Sequence, residues 1–214
     1  MRHLLPRTYY PFFARFRHPS LIQERAAQPL LEGESILLVS ATASGKTEAF
    51  LAPLVERHFE SLKSGQGQIL FICPTRALVN DAARRLAAPL RGCGLQLRRR
   101  TSDASENPET QPAAVWITTP EGLDSLLCRF PRWLGRTQAL ILDEIHLLHG
   151  TPRGTQVLCL LERLDWVCKA LSLKPPQRVG ATATAAQPQA LAQSFLGRTA
   201  RVIEDDTSRP IRLH

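Results

Sequence analysis

No stretch of this 214-residue chain approaches the roughly 20 consecutive apolar residues that a membrane-spanning helix needs. The first sixteen residues interrupt their apolar content with Arg2, Arg7 and Arg15, so no secretory leader is expected there. Missing too is any C-x-x-C pair. The five cysteines (Cys73, Cys93, Cys128, Cys159 and Cys168) are scattered, which argues against a zinc or redox motif. They read as reduced thiols of a cytoplasmic protein, most of them buried as small hydrophobes. Internal repeats are absent. Acidic residues are in short supply, 19 against 27 Lys and Arg, which leaves a net charge of +8. Such an excess attracts polyanions, of which nucleic acid is the commonest large one. What remains, 43% hydrophobic and 21% charged, suits one large globular domain able to bury a sizeable core.

Short apolar runs alternate with amphipathic segments, the pattern of an α/β fold with a mostly parallel sheet flanked by helices on both faces. Strands are expected at Ile36–Val39, Gln68–Ile72, Leu95–Arg99, Ala114–Ile117, Ala139–Leu142 and Arg178–Gly180. Their length and bounding turn residues suit strands buried on both faces. Leu78, Val79, Ala82 and Leu86 recur at helical spacing, as do Val157, Leu161, Leu164, Cys168 and Leu171 before Pro175-Pro176. Thr118-Thr119-Pro120-Glu121 reads as a helix start closed by a capping box. Ser102–Gln111 reads as a polar loop, and Glu204–Pro210 as a linker.

Two segments carry chemistry. Ile36–Val39 runs into Ser40-Ala41-Thr42-Ala43-Ser44-Gly45-Lys46-Thr47 and then a helical run. Small residues let successive backbone N–H groups face phosphate oxygens, and the helix start adds its positive dipole end. Lys46 would reach the β- and γ-phosphates, and the Thr47 hydroxyl would ligate Mg²⁺. The second segment is Ala139–Leu142 followed by Asp143-Glu144-Ile145-His146. A strand ending in two acids delivers them to the carboxyl edge of the sheet, where α/β folds bind ligands. Asp143 is expected to hold Mg²⁺ and Glu144 to orient and deprotonate the attacking water, with His146 as a relay. A lone helix cap would account for one of these acids, not for both beside Lys46.

Ser-Ala-Thr-Ala-Ser-Gly-Lys-Thr (40–47) with Asp-Glu-Ile-His (143–146) resembles motifs I and II of superfamily 2 helicases of the DExH type. Further segments resemble other motifs of that family in its order. Pro74-Thr75-Arg76 with Ala77-Leu78 is similar to motif Ia, Thr118-Thr119-Pro120-Glu121 to motif Ib, and Ala181-Thr182-Ala183-Thr184 to motif III. Pro19-Ser20-Leu21-Ile22-Gln23 resembles the Q motif, whose glutamine reads adenine. Arg153-Gly154-Thr155-Gln156 followed by Leu161-Glu162-Arg163-Leu164 is similar to the large helicase-related (Lhr) and Ski-type group. The resemblance implies a RecA-like phosphate-loop NTPase domain over 21–203, entered through 1–20 and left through a linker at 204–214. It implies ATP and Mg²⁺ on Gln23, Ala41, Thr42, Ala43, Ser44, Gly45, Lys46 and Thr47, with Asp143. It further implies nucleic-acid backbone on Pro74, Thr75, Arg76, Thr118, Thr119, Pro120 and Glu121, and coupling through Thr182 and Thr184.

Arg98-Arg99-Arg100 is the densest basic run. On a strand its members would alternate between faces, so not all three could serve one ligand. Tyr9, Tyr10, Phe12, Phe13 and Phe16 read mainly as core. Helicases of this type work with two RecA-like domains, the second supplying an arginine finger; nothing after residue 184 resembles it, so this chain is expected to be one half of a motor. Two other functions fit the same residues: an ATPase that translocates or remodels without separating strands, and a binding module that kept the fold but lost the chemistry.

Overall fold

The computed structural model describes residues 1–41, 44–101, 104–105 and 107–205. Thr42 and Ala43 of the expected phosphate loop, and 206–214 of the expected linker, lie outside the described residues. Eight strands form one sheet: β1 (Ile36–Val39), β2 (Gln68–Ile72), β3 (Leu97–Thr101), β4 (Ala104–Ser105), β5 (Val115–Thr118), β6 (Thr137–Leu142), β7 (Gln177–Thr182) and β8 (Arg201–Glu204). Their spatial order is β4-β3-β5-β2-β6-β7-β1-β8. All neighbours pair in parallel except the short β4, which runs antiparallel to β3.

Period-two alternation along the strands sorts side chains into two cores. Ile36, Leu38, Ile69, Phe71, Ile117, Ile141 and Val179 face α1 (Tyr9–Phe13), α2 (Leu21–Glu32), α3 (Lys46–Arg57) and α5 (Arg76–Gly92). Leu37, Leu70, Ile72, Trp116, Leu140 and Leu142 face α6 (Pro120–Arg129), α7 (Pro131–Leu134), α8 (Pro152–Ala170) and α9 (Pro188–Leu196). A short helix, α4 (Phe59–Lys63), links α3 to β2. The three-layer expectation holds because every central strand is apolar on both faces and each face must be covered. Among the described residues no helix is long and apolar enough to cross a membrane.

Several boundaries differ from the sequence reading. β3 starts two residues later than expected, because Leu95 stays with the turn after α5, where its N–H bonds Leu90 O. β7 extends to Thr182, so that threonine ends a strand instead of following one. β8 was not expected at all: its alternating pattern is short and half exposed, and it is held by pairing with β1. It takes Glu204 out of the segment read as linker. β4 likewise lies inside the segment read as a polar loop. The helix start at 118–121 is capped by Thr119, whose Oγ1 accepts from Gly122 N–H at 3.3 Å, not by a Thr118–Glu121 box. Thr118 is instead the last residue of β5, fully buried, with its hydroxyl donating to Arg100 O at 2.6 Å. Of the cysteines, Cys73, Cys93 and Cys168 are buried and Cys128 and Cys159 are exposed, all as free thiols. Phe12 and Phe13 join the core while Tyr10 and Phe16 stay exposed.

Candidate functional site

The parallel strands end along one carboxyl edge, and the sheet order decides which loops meet there. β1 and β6 flank β7, so the loop after β1, the acids after β6 and Thr182 at the end of β7 are adjacent. Ser40 N–H donates to Thr182 O at 3.2 Å, tying the first residue of the loop to that strand. Gly45 sits at φ 87, and α3 begins at Lys46. A side chain at Gly45 would be strained by the left-handed backbone and would also collide with the amide of Gln23.

Lys46 and Thr47 are buried in the first turn of α3. Lys46 Nζ donates to Ser40 O at 2.5 Å and to Ala41 O at 2.9 Å, which folds the lysine back over the loop. Burial lowers its ammonium below the usual value, against the pull of Glu144 and then Asp143. Asp143 is anchored by its N–H to Ile72 O at 3.0 Å, and its Oδ1 accepts from Glu144 N–H at 3.0 Å. Burial, with the charge of Glu144 second, raises the Asp143 carboxyl to about 6, while Arg85 and Lys46 oppose the rise. Glu144 adopts a left-handed backbone, φ 48 and ψ 48, which turns the chain sharply at the strand end. His146 Nδ1 lies 3.3 Å from Glu144 Oε2 and 3.2 Å from Thr182 Oγ1. Thr182 Oγ1 also donates to Thr184 O at 2.8 Å, and Thr184 itself is exposed.

Ser44, Gly45, Lys46, Thr47, Asp143 and Glu144 line one cavity of about 90 Å³, joined by Arg85 from α5. The lysine, the hydroxyl and the acid pair expected to act together therefore face the same space. Ser44 Oγ is buried there without a partner, and Glu144 Oε2 lacks a hydrogen bond beyond its approach to His146. Buried polar atoms left open in this way fit a ligand with hydrogen-bonding oxygens. Ser20 and Gln23 brace the loop from outside. Ser20 Oγ donates to Ser44 O at 3.1 Å, and Gln23 Nε2 to Gly45 O at 3.2 Å, while Gln23 Oε1 accepts from Ser20 N–H at 2.9 Å. Gln23 is almost wholly buried.

With this cavity and strand order in view, a model of the DEAD/DEAH box helicase family matches residues 20–191. The chain belongs to that family. Among relatives of this helicase domain, the Lhr helicase/uracil glycosylase of Escherichia coli is 31% identical over 91% of this chain and 14% of its own length. The ATP-dependent helicase Lhr-Core of Methanocaldococcus jannaschii is 33% identical over 76% of this chain and 21% of its own. The solved structure of Mycobacterium smegmatis helicase Lhr bound to ssDNA and AMP-PNP superposes with a TM-score of 0.82 at 29% identity, covering 95% of this chain and 28% of that one. The chain thus spans between a seventh and about a fifth of these two curated relatives.

On the same edge, beyond β2, a wider groove of about 710 Å³ runs past Thr75, Arg76, Arg100, Thr119, Arg129 and Arg153. Thr75 caps α5, its Oγ1 accepting from Leu78 N–H at 3.3 Å, and both Thr75 and Arg76 are exposed. Glu121 lines the groove in an ion pair with Arg153 at 2.7 Å. Pro74, Thr118 and Pro120 are buried, so these three shape the edge and do not face the groove. Of the basic run, Arg99 is exposed and donates to Asn80 Oδ1 at 2.6 Å, whereas Arg100 turns in beneath the groove, its guanidinium stacked on Phe130 at 5.5 Å. Sequence reasoning passed over Arg85 and Arg129, which look like ordinary surface charges on amphipathic helices. Only the strand order shows where they point.

Proposed function

We propose that this chain is the nucleotide-gripping motor domain of an ATP-dependent helicase that moves along and opens DNA or RNA in the cytoplasm. The observation that carries the reading is the single cavity shared by Lys46, Thr47, Asp143 and Glu144, with an arginine-rich groove on the same rim. A triphosphate would lie across the loop on the backbone N–H groups around Ser44 and Gly45 and on the N-terminus of α3. Lys46 would leave the carbonyls of Ser40 and Ala41 for the terminal phosphates. Magnesium that arrives on phosphate oxygens needs only one or two protein ligands, and Thr47 and Asp143 supply that number. Bound there, the ion would neutralise charge on the phosphates. Glu144, its Oε2 free of hydrogen bonds, is the base that would orient and deprotonate water. His146, between Glu144 and Thr182, would relay the state of that carboxylate into the end of β7.

Nucleic acid would run along the groove as a backbone ligand, held by the Thr75 hydroxyl, by Arg76 and by the capped start of α6 at Thr119. The solved Lhr relative is bound to ssDNA and AMP-PNP, which supports placing both ligands on this rim. The other half of the engine, a second RecA-like domain contributing an arginine finger, would close over the cavity. Alone, this chain is expected to bind nucleotide weakly and turn it over slowly.

The test is nucleotide binding by wild type and Lys46→Ala in magnesium. The expected outcome is a measurable affinity that falls at least about a hundredfold in the variant. Equal affinity in both would overturn the reading.

A further inference from the structure

Among the described residues lining the cavity, Arg85 is the one that the proposed function leaves without a task. It lies on α5, in the same helix that begins with Thr75 and Arg76. Its guanidinium makes two contacts of different kinds. Nε pairs with Asp81 Oδ2 at 2.9 Å, one helical turn earlier, and Nη1 donates to Thr47 Oγ1 at 3.4 Å. The second contact uses the hydroxyl oxygen that a magnesium ion would need, and it is long enough to be released readily. The first joins two side chains that are 42% and 40% exposed, so it is shallow as well, and it can persist when the second is released.

The charges explain why such a residue belongs there. Lys46 and Arg85 face Asp143 and Glu144, two cations that oppose, without cancelling, the rise of the Asp143 carboxyl. A guanidinium at Thr47 and a divalent cation at Thr47 repel each other and seek the same oxygen.

We propose that Arg85 is a positioning residue that sets the magnesium requirement of the site: it holds the Thr47 hydroxyl in the ion-free protein, and Asp81 retains its side chain when the ion displaces it. The inference rests on the nucleotide reading given above. It assigns Arg85 an effect on the ion, not on the nucleotide itself.

The experiment is a magnesium titration of the binding of a fluorescent non-hydrolysable ATP analogue to wild type, Arg85→Gln, Asp81→Asn and the double variant. Arg85→Gln is expected to reach half-saturation at a magnesium concentration lower by on the order of threefold, with unchanged affinity at saturating magnesium. Asp81→Asn, which leaves the guanidinium no second seat, is expected to raise that concentration by a similar factor. The double variant is expected to match Arg85→Gln, because Asp81, whose other oxygen pairs with the exposed Arg84 at 2.6 Å, touches Thr47 only through Arg85. A merely structural role would lower stability without moving the magnesium midpoint in opposite directions. An unchanged or raised midpoint in Arg85→Gln overturns the inference, as does weaker binding at saturating magnesium, which would make Arg85 a phosphate ligand. Failure of wild type to bind the analogue at any magnesium concentration would instead sink the nucleotide reading, and this inference with it.

Discussion

Asp143, the proposed magnesium ligand, carries a charge that its burial opposes. The residue is 8% exposed, next to Glu144, and its carboxyl is raised to about 6. The folded state therefore keeps a proton between roughly pH 4 and 6 that the unfolded chain has already lost, and stability falls as pH rises through that window. Above it the full penalty remains. Asp143→Asn is accordingly expected to stabilise the protein at pH 7.5 by on the order of 1–2 kcal/mol, less than the full shift because Glu144 shares the charge. Thermal unfolding checks this, with a rise in Tm that shrinks as pH falls from about 6 toward 4. The same variant should lose magnesium-dependent nucleotide binding. In wild type, that binding should weaken as pH drops through about 6, where protonation competes with the ion.

Among the elements, α5 has two roles that a single substitution would confuse. Thr75 is both its N-cap and an exposed hydroxyl beside the groove. Thr75→Ala removes the cap and is expected to cost about 1 kcal/mol in denaturant unfolding. Thr75→Asp restores the cap, since a carboxylate accepts from the same N–H groups, yet repels phosphate. The expected result is wild-type stability with weakened binding of single-stranded nucleic acid; wild-type binding in that variant would confine Thr75 to capping. The start of α6 is fixed differently. A Cβ at Gly122 would collide with Thr118 Oγ1 and crowd Arg100 O. This close approach lets the capped helix end sit directly on β5 and β3, which is what brings Arg100 and Thr119 to one groove.

Over the whole molecule, the groove is an electrostatic object. Arg76, Arg100, Arg129 and Arg153 come from α5, β3, α6 and α8, and no two are neighbours in the chain. Binding to single strands should weaken with salt, with a log–log slope of roughly 0.7 per phosphate neutralised. Arg129→Ala is expected to lower that slope by about 0.7 whatever the base sequence, measured by fluorescence anisotropy over a salt series. A slope identical to wild type would remove Arg129 from the interface.

The central strands and the long helices α5 and α8 were legible because their apolar spacing repeats over enough residues to outweigh local ambiguity. That Lys46, Thr47, Asp143 and Glu144 would face one cavity was legible because each follows an apolar strand ending on the same edge of the sheet. β8 and β4 were not, since each is short and takes its conformation from a neighbouring strand. Nor were Arg85 and Arg129, which carry no motif and gain meaning only from what faces them. The sequence by itself determined the alternation of elements, and with it two buried faces and the chemical character of both loops. Tertiary structure decided which loops became neighbours. Parallel pairing in the order β6-β7-β1 closes the cavity, and β3-β5-β2 opens the groove, because hydrogen-bonded strands lie about 5 Å apart however distant they are along the chain.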